Sequence, residues 1–549
     1  MQYGELIGYQ GTIVDNKAVF VNNYGEIGYD VDWLLFNRQG DNYKLVAYDL
    51  DYLAAVLFRS MALTQAEAEK LKTNHKLHYY GIDCAYDITY YPARYLDIKK
   101  GAGWNRPYVG FYDMKQYNAD IHYPLDISID DCISMAKQAK DTGVAVSAAN
   151  YKLGLNPDVL TSPIKSLEKS ILQNFDAPIA GNDIPDDAVD MALQHIRGGW
   201  VEAYKIGHFE QAYDLDITTA YGYELSKLLD TRRGKWVRSN RMPKEAVYGF
   251  TEGDVTIKAD FSPIYYEVAY GDSRKLYTPQ GSWHTYLTKE EIEFIYKYKI
   301  GTYAINDGWW WIPQGQQYEL YKGIVNNLYS KRENANNLEN LILKRCLAGL
   351  WGKLLEQHAD GFGQFFNPIY GTIVEVNTKL KVASFVLDNN LYPDHLLHIA
   401  TDGILIDKYI ELPAIKRPGE WRLTHTGKAL VICSGIAAIE GKQGTEDLAI
   451  SYDKLNDLIT GNPDADSYTL SKNTPLSLLK ALQDNKLDKL GNIEQVNRSF
   501  NMGIENKRLY WELPNTGKQL LTGQYNSEPL HWLDVSALDK KEGDIECQI

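Results

Sequence analysis

The sequence has few cysteines and no apolar run that could cross a membrane. Its five cysteines are scattered, odd in number and never spaced as Cys-x-x-Cys, which argues against a disulfide scaffold and a zinc site. They stand at positions 84, 132, 346, 433 and 547. The longest apolar stretch, ALVICSGIAAIEG at 429–441, is shorter than the roughly 18 residues of a membrane helix. The opening MQYGELIGYQ lacks a basic segment followed by an apolar one, so we predict no secretory signal and a cytoplasmic setting.

The sequence also lacks an excess of basic residues. The net charge is −15, which excludes a uniformly basic nucleic-acid surface but leaves room for a local basic groove. Apolar residues make up 44% and charged residues 23%, the proportions of an ordinary globular protein. A chain of 549 residues exceeds one hydrophobic core, so we expect two to four subdomains, a number taken from typical domain sizes.

The hydrophobic pattern predicts a mixed α+β architecture. Apolar residues alternate in the predicted strands and recur at helical spacing in the predicted helices. A segment rich in Pro, Gly and Asp at 174–190 marks a plausible boundary. The pattern predicts a hairpin at 11–23, helices at 49–72, 288–298 and 334–356, a strand followed by a helix at 211–229, and a strand pair at 396–407.

The stretch QAYDLDITTAYGYEL (211–225) places two carboxylates at the end of an alternating strand. Asp214 and Asp216 fall on one face of that strand, and the period then lengthens into a helix. A carboxylate at a rigid strand end can bind a divalent cation. The alternative is an Asp216 that merely caps the helix, which is a common role.

A second acid stands between two short apolar strands in LLHIATDGILIDK (396–408). The pair Asp402-Gly403 favours a tight hairpin turn with positive φ, so we expect Asp402 to project from the tip of a hairpin. Any hairpin can use this pair, so the segment alone does not identify a functional site.

The long predicted helix carries a polar and aromatic face. Asn340, Lys344, Ala348 and Trp351 follow one another at steps of four, four and three. A lysine, a small residue and an aromatic on one face could hold a phosphate and a flat base, and Arg332 precedes them. The alternative is a solvated basic face.

Together these three segments supply the groups that nucleotidyl transfer requires. Two acids can hold two divalent ions about 3.5–4 Å apart, and cations can hold a triphosphate. The order along the chain is a strand-end acid, a helix with a lysine and a hairpin acid.

Four short motifs in this order resemble the core of family B DNA polymerases, in particular the protein-primed enzymes of bacteriophages and linear plasmids. DITTAY (216–221) is similar to the first palm motif, D-x-x-S-L-Y, and ATDG (400–403) to the second, D-T-D-S. KRCLAGLWG (344–352) is similar to the fingers motif K-x-x-x-N-S-x-Y-G, and IRGGW (196–200) to the Y-R-G-G/F signature. The resemblance covers about residues 190–440.

The resemblance implies a right-hand polymerase fold of palm, fingers and thumb after a degenerate exonuclease-like α/β domain. The exonuclease-like domain is expected to be inactive, because none of the family's three acidic exonuclease motifs is found cleanly. The implied divisions are the exonuclease-like domain at 1–185, the start of the palm at 186–230, more palm with an insertion resembling the terminal-protein region at 231–328, the fingers at 329–366, the palm with the second acid at 367–440, and the thumb and C-terminal region at 441–549.

The resemblance also implies an activity and its residues. The chain would be a DNA-directed DNA polymerase that uses dNTPs, a DNA primer-template and two Mg²⁺ or Mn²⁺ ions, in the cytoplasm of a host cell, for a phage or mobile element. A priming (terminal) protein is a further partner of this type of enzyme. The implied roles are Asp216 and Asp402 as catalytic metal ligands, Tyr221, Arg332, Lys344, Trp351 and Gly352 in nucleotide binding, and Arg197, Gly198 and Gly199 in nucleic-acid binding.

The motifs depart from the family pattern at several positions. Ala400 replaces the first acid of D-T-D-S, Ala348-Gly349 replaces Asn-Ser, and Trp351 replaces Tyr. Two alternatives therefore stay open. One is a catalytically impaired polymerase fold that only binds nucleic acid. The other is a metal-dependent glycosyltransferase that uses the Asp-x-Asp at 214–216.

Overall fold

The chain folds into two compact units. A computed structural model describes residues 5–37, 43–80, 84–101, 107–117, 123–178, 180, 183–270, 273–358, 361–413, 417–442 and 451–538. The first unit contains Met1–Phe175, Lys331–Cys346 and Leu470–Arg498, and the second contains Asp176–Ser330, Leu347–Thr469 and Ser499–Ile549. Across the described ranges, no helix is long and apolar enough to span a membrane.

The first unit is built on an eight-stranded mixed sheet in the order β3-β2-β1-β4-β8-β7-β6-β5. Its strands are β1 (Glu5–Val14), β2 (Lys17–Asn22), β3 (Ile27–Gly28), β4 (Tyr43–Ala47), β5 (Lys76–Tyr80), β6 (Ala85–Tyr91), β7 (Tyr95–Lys100) and β8 (Tyr108–Asp113). Its helices up to residue 175 are α1 (Val31–Phe36), α2 (Leu50–Ser60), α3 (Gln65–Asn74), α4 (Ile129–Lys152) and α5 (Pro163–Ser170).

The predicted hairpin at 11–23 is confirmed. Strands β1 and β2 pair antiparallel up to Val14 and Lys17. The two residues between them, Asp15 and Asn16, both have positive φ, 48° and 65°, as a two-residue type I′ turn requires.

The segment predicted to be helical at 49–72 is mostly helical, but the structure breaks it into two helices, α2 and α3. Ala62 adopts a left-handed φ of 51° after α2 ends. Thr64 then starts α3 with a capping box in which its hydroxyl accepts the amide of Glu67 and the Glu67 carboxylate accepts the amide of Thr64. The Thr-x-x-Glu signature of such a cap is visible in the sequence.

The strands and helices from residue 176 onward lie mostly in the second unit. The strands are β9 (Val201–Ala203), β10 (Lys205–Ile217), β11 (Gly234–Arg238), β12 (Tyr248–Ile257), β13 (Tyr266–Tyr270), β14 (Ser273–Tyr277), β15 (Gly281–Thr288), β16 (Gly301–Pro313), β17 (Gln357–His358), β18 (Gly361–Phe362), β19 (Leu396–Ala400), β20 (Gly403–Ile406), β21 (Trp421–Cys433), β22 (Ile436–Ile439), β23 (Ser467–Pro475), β24 (Ile493–Asn501), β25 (Arg508–Tyr510) and β26 (Gln524–Pro529). The helices are α6 (Asp186–Leu193), α7 (Ala220–Ser226), α8 (Lys289–Lys297), α9 (Lys322–Ser330), α10 (Asn337–Leu354), α11 (Pro368–Asp388), α12 (Tyr452–Gly461), α13 (Leu478–Gln483), α14 (Gly517–Thr522) and α15 (Trp532–Leu538).

The main sheet of the second unit has the strand order β22-β21-β10-β20-β19-β9. Strand β10 lies between β20 and β21 and pairs antiparallel with both. Its apolar residues Leu215 and Ile217 are buried in one core with Val376 and Leu380 of α11. Because side chains alternate across a strand, Asp214 and Asp216 lie on the opposite face of this sheet.

Three other predicted elements are confirmed with small changes at their ends. The helix predicted at 288–298 is α8, which begins after the capping residue Thr288. The helix predicted at 334–356 is α10, which begins at Asn337 after a short 3₁₀ turn. The strand pair predicted at 396–407 is β19 and β20.

Candidate functional site

Asp216 stands near the carboxyl end of β10, directly opposite residues of both neighbouring strands. It pairs with Gly403 of β20 on one side and with Arg422 of β21 on the other. Its carboxylate oxygen Oδ2 accepts hydrogen bonds from Arg422 Nη2 at 2.5 Å and Nε at 3.1 Å. Its side chain is 28% exposed, so the carboxylate can be reached from solvent.

Asp216 does not cap the helix that follows it. The N-terminal cap of α7 is Thr219, whose side chain makes no capping hydrogen bond. The structure therefore argues against the alternative interpretation of Asp216 as a helix cap.

Asp402 lies in the two-residue turn between β19 and β20. The turn differs from the expected one, because Ala400 pairs with Gly403 and the turn residues are Thr401 and Asp402. The residue with positive φ is Thr401, at 58°, rather than Gly403. Asp402 still lies at the tip of the hairpin, as the sequence predicts.

The backbones of the two acids are adjacent. The amide of Ile217, which follows Asp216, donates to the carbonyl of Asp402 at 3.0 Å. Asp216 is directly opposite Gly403, which follows Asp402, and opposed Cα atoms on antiparallel strands are about 4.5–5.5 Å apart. The fold thus brings together two acids that are 186 positions apart in the chain.

Two threonines beside these acids have strained backbones. Thr219 follows Asp216 by three residues with φ 53°, and Thr401 directly precedes Asp402 with φ 58°. A β-branched residue in the left-handed region is an outlier, and such strain concentrates at functional sites. The strain is therefore a second, independent reason to place a functional site here.

Asp214 is committed to contacts within the protein. It is 7% exposed, and its Oδ2 accepts from the Thr424 hydroxyl at 2.5 Å and lies 2.9 Å from Lys442 Nζ. His425 Nδ1 lies 3.2 Å from the same oxygen. We interpret Asp214 as a structural residue.

Tyr221 and Trp351 form an aromatic pair in the second unit. Tyr221 lies on α7 and Trp351 on α10, and their rings stack at 4.9 Å with an angle of 22°. Trp351 Nε1 donates to the carbonyl of Gly371 at 2.9 Å, which fixes the indole. Burial, followed by the carboxylates of Glu375 and Asp402, raises the pKa of Tyr221, so the phenol stays neutral.

Gly352 leaves open space beside this pair. A Cβ built on Gly352 would meet no heavy atom within 4 Å outside its own helix backbone. The part of Gly352 in nucleotide binding stays a prediction.

The segment Arg197-Gly198-Gly199 is held by Glu375 of α11. Glu375 Oε1 accepts the amides of Arg197 at 3.2 Å and Gly198 at 2.9 Å. The Arg197 guanidinium donates to the carbonyl of Tyr265 and to the Thr285 hydroxyl, so it is engaged within the protein. Contact between Arg197 and nucleic acid stays a prediction.

The same segment braces the turn that carries Asp402. The amide of Thr401 donates to the carbonyl of Trp200 at 2.7 Å. A Cβ on Gly199 would lie 2.5 Å from Thr401 Oγ1. Gly199 therefore lets this segment approach the hairpin, and a larger side chain would displace Thr401.

Arg332 and Lys344 belong to the first unit, so their part in a common site with the two acids stays a prediction. Within that unit, Arg332 Nε donates to Asn340 Oδ1 at 2.7 Å. Lys344 and Ala348 are exposed on α10, as expected for the polar helix face that the spacing predicts.

Sequence reasoning missed Glu375, Thr401 and Arg422. Glu375 and Arg422 belong to no motif, and Thr401 lies in ATDG without an assigned role. Each acts through a contact that is distant in sequence. Glu375 interrupts the apolar stretch IVEV (373–376) of α11, and this is a sequence signal that could have drawn attention to it.

Comparison with known proteins gives no match in sequence and a clear match in fold. No protein-family model and no curated protein sequence matches the chain. The structure of the Phi29 DNA polymerase with primer-template DNA and incoming nucleotides aligns with a TM-score of 0.60 at 14% identity, covering 90% of this chain and 99% of that chain. Its orthorhombic crystal form aligns at 0.59 with 12% identity and the same coverage. Its complex with single-stranded DNA aligns at 0.56 with 13% identity, again with the same coverage.

The chain therefore has a DNA polymerase-like fold, similar to that of the Phi29 enzyme. Because the alignment covers 90% of the chain, it includes most of the first unit as well as the second. The similarity argues against an unrelated N-terminal domain.

Proposed function

We propose that this protein is a template-directed DNA polymerase that transfers dNMP from a dNTP to a 3′ hydroxyl. The observation that carries the proposal is the adjacency of Asp216 and Asp402 on the main sheet of a polymerase-like fold. The hydroxyl belongs to a DNA primer or to the side chain of a priming protein.

The donor groups at this position suit Mg²⁺ or Mn²⁺. Carboxylate oxygens are the ligands that these ions prefer, and Asp216 Oδ1 has no hydrogen-bond partner among the described residues, since both bonds from Arg422 go to Oδ2. Across the described ranges no group of three or more His, Cys, Asp or Glu side chains could hold a metal, so two carboxylates would supply the protein ligands. Bound divalent ions would lower the pKa of the attacking hydroxyl and neutralise the leaving pyrophosphate.

We assign to the nucleotide the residues to which the resemblance gives this role. Tyr221 is assigned to the sugar of the nucleotide, and its ring stacks on Trp351 at 4.9 Å. Its ring would pack under the deoxyribose and disfavour a 2′ hydroxyl, with Trp351 behind it and Gly352 leaving room. Arg332 and Lys344 would hold the triphosphate.

We assign no proofreading to the first unit. Asp49 and Asp51 come nearest to an exonuclease motif, and both are used in the fold. Asp49 caps α2 and pairs with Lys115, while Asp51 accepts from the Tyr90 hydroxyl and the amide of Ala93. Because Asp49 and Asp51 are engaged in this way, we do not expect these two residues to hold metal ions for hydrolysis of a primer end.

A nucleic-acid-binding protein without polymerase activity is the second candidate. Two observations favour it: Ala400 stands where the first acid of D-T-D-S is usual, and Arg422 occupies one oxygen of Asp216. The glycosyltransferase alternative lacks such support, because Asp214 is held by Thr424 and Lys442 instead of being available to a metal.

Primer extension tests the proposal. The protein is incubated with a primed oligonucleotide, Mg²⁺ or Mn²⁺, and either dNTPs or NTPs. We expect extension with dNTPs, and a loss of about a thousandfold or more in the Asp216→Asn and Asp402→Asn variants, since each removes a metal ligand.

Glu210→Gln is the matched control, because Glu210 is an exposed carboxylate on the same strand β10. This variant should extend primers like the unmodified protein. Binding of primer-template without extension would favour the second candidate, and full activity in both Asn variants would refute the site.

A further inference from the structure

Arg422 forms an ion pair with the carboxylate that we assign to metal binding. Its guanidinium approaches Asp216 Oδ2 with two nitrogens, at 2.5 Å and 3.1 Å. The side chains of Arg422 and Asp216 are 37% and 28% exposed. An arginine held by two hydrogen bonds has a fixed geometry that a lysine would lack.

A β-bulge in β21 puts Arg422 in this position. Asp214 is opposite His425, whereas Leu215 is opposite Leu423, so Thr424 is an extra residue between them. Without this bulge, Leu423 would stand opposite Asp216. Bulges near active sites commonly redirect a side chain, and this one replaces an apolar neighbour of Asp216 with a cation.

The next acid along β10, Asp214, has its own cation. Lys442 lies on Asp214, two positions before Asp216 on the same strand. Asp402 lies in the adjacent turn. Arg422 is therefore the cation that acts directly on Asp216, and a divalent cation on the same carboxylate would experience strong repulsion from its guanidinium.

We propose that Arg422 and a divalent cation compete for the carboxylate of Asp216, so that Arg422 must leave before the metal binds. This inference rests on the proposed function, which makes Asp216 a metal ligand. It adds that the protein binds a divalent cation weakly at this position when no nucleotide or DNA is present. The ion pair with Arg422 is what keeps this affinity low. Arg422 is a positioning residue in this scheme.

Titration of the full-length protein with Mn²⁺ in the absence of nucleotide and DNA tests the competition. Free Mn²⁺ is followed by electron paramagnetic resonance, a readout that does not depend on polymerase activity. We expect Arg422→Ala to bind Mn²⁺ at least about tenfold more tightly than the unmodified protein, because it removes both the competitor and its charge.

Lys442→Ala is the matched control. It also removes one positive charge from an aspartate on β10, but from Asp214 instead of Asp216. It should change Mn²⁺ affinity less than about twofold, the size expected for a charge screened by solvent and salt. Equal tightening in both variants would reduce the effect to general electrostatics and overturn the inference.

Asp216→Asn in the Arg422→Ala background gives the second check. The gain in Mn²⁺ affinity should disappear, because the contested carboxylate is gone. Arg422→Gln, which keeps a planar polar side chain without charge, replaces the Ala variant if that variant does not fold by circular dichroism. Unchanged affinity in a folded Arg422 variant contradicts the competition.

The two proposals fail in different ways. Absence of primer extension combined with tighter Mn²⁺ binding by Arg422→Ala would reject the polymerase activity and keep the competition. Normal extension with unchanged Mn²⁺ affinity would keep the activity and reject the competition.

Discussion

Asp113, at the end of β8 in the first unit, is a buried acid with an incomplete set of partners. Its Oδ1 accepts the amide of Leu50 at 2.9 Å, whereas its Oδ2 is buried without a hydrogen-bond partner. Burial, followed by the carboxylate of Asp49, raises the pKa of Asp113 to about 7, and Asp51 adds to this while Lys115 opposes it. A buried acid of this kind makes stability depend on pH near neutrality.

We predict that the unfolding free energy falls as the pH rises from about 5 to about 8. In this range the unfolded Asp113 is already ionised at its ordinary pKa of about 3.9, while the folded form still holds its proton. The folded state therefore binds more protons, and stability declines with pH until the folded group has ionised. Asp113→Asn keeps the oxygen that accepts from Leu50 and removes the charge, so its decline should be smaller.

Urea unfolding at pH 5.5 and pH 8.0 measures this difference. Asp126→Asn, which changes an exposed aspartate of the same unit, should keep the pH dependence of the unmodified protein. Identical pH dependence in Asp113→Asn and the unmodified protein would show that Asp113 does not titrate in this range.

At the scale of elements, the segment at 196–200 and the β19–β20 hairpin support each other. Thr401 donates to Trp200, and Gly199 leaves space for the Thr401 side chain. Glu375 of α11 holds the other end of the segment. The position of Asp402 therefore depends on how this segment packs against the neighbouring Thr401.

We predict that Gly199→Ala destabilises the protein by about 1–3 kcal/mol, the usual cost of overpacking, because its Cβ would collide with Thr401. Primer extension should fall as well, since the Asp402 turn would shift. Thr401→Gly removes the side chain and suits the left-handed φ, so the double variant should recover most of the loss. Thermal unfolding of the four proteins gives the coupling energy, and purely additive effects would contradict the contact.

The sequence predicts the regular strands of these elements but not the irregular backbone at their turn and bulge. Alternation places Asp216 at the end of β10, and the apolar strands around Asp402 predict a hairpin. The left-handed Thr401 and the extra residue Thr424 depend on packing between distant strands, and neither has a local signature. The break between α2 and α3, in contrast, has a local signature, the capping box of Thr64 and Glu67. The helical pattern on both sides of the break hides it in the sequence.

At the scale of the whole molecule, the four polymerase-like motifs predict the fold through their order along the chain. Each is weak alone, and the sequence matches no family model, yet the fold aligns with the Phi29 DNA polymerase over 90% of the chain. The division into units could not be read from the sequence, since Lys331–Cys346 and Leu470–Arg498 join the first unit from far along the chain.

The two units should differ in their response to divalent metal. We predict that Mn²⁺ at about ten times its dissociation constant slows hydrogen exchange about tenfold in the second unit, the stabilisation expected from ligand linkage. The affected peptides should cover 213–220, 399–406 and 421–425. Peptides of the first unit at 5–14, 50–60 and 129–140 should not change, because Asp216 and Asp402 both belong to the second unit.

Hydrogen exchange with mass spectrometry on the full-length protein makes this comparison, with the Asp216→Asn, Asp402→Asn double variant as the control. That variant should lose the protection in the second unit and leave the first unit as it was. Protection of the first unit by Mn²⁺ in either protein would reveal a metal site there. It would contradict the absence of proofreading, because a bound metal is what primer hydrolysis by this unit would require.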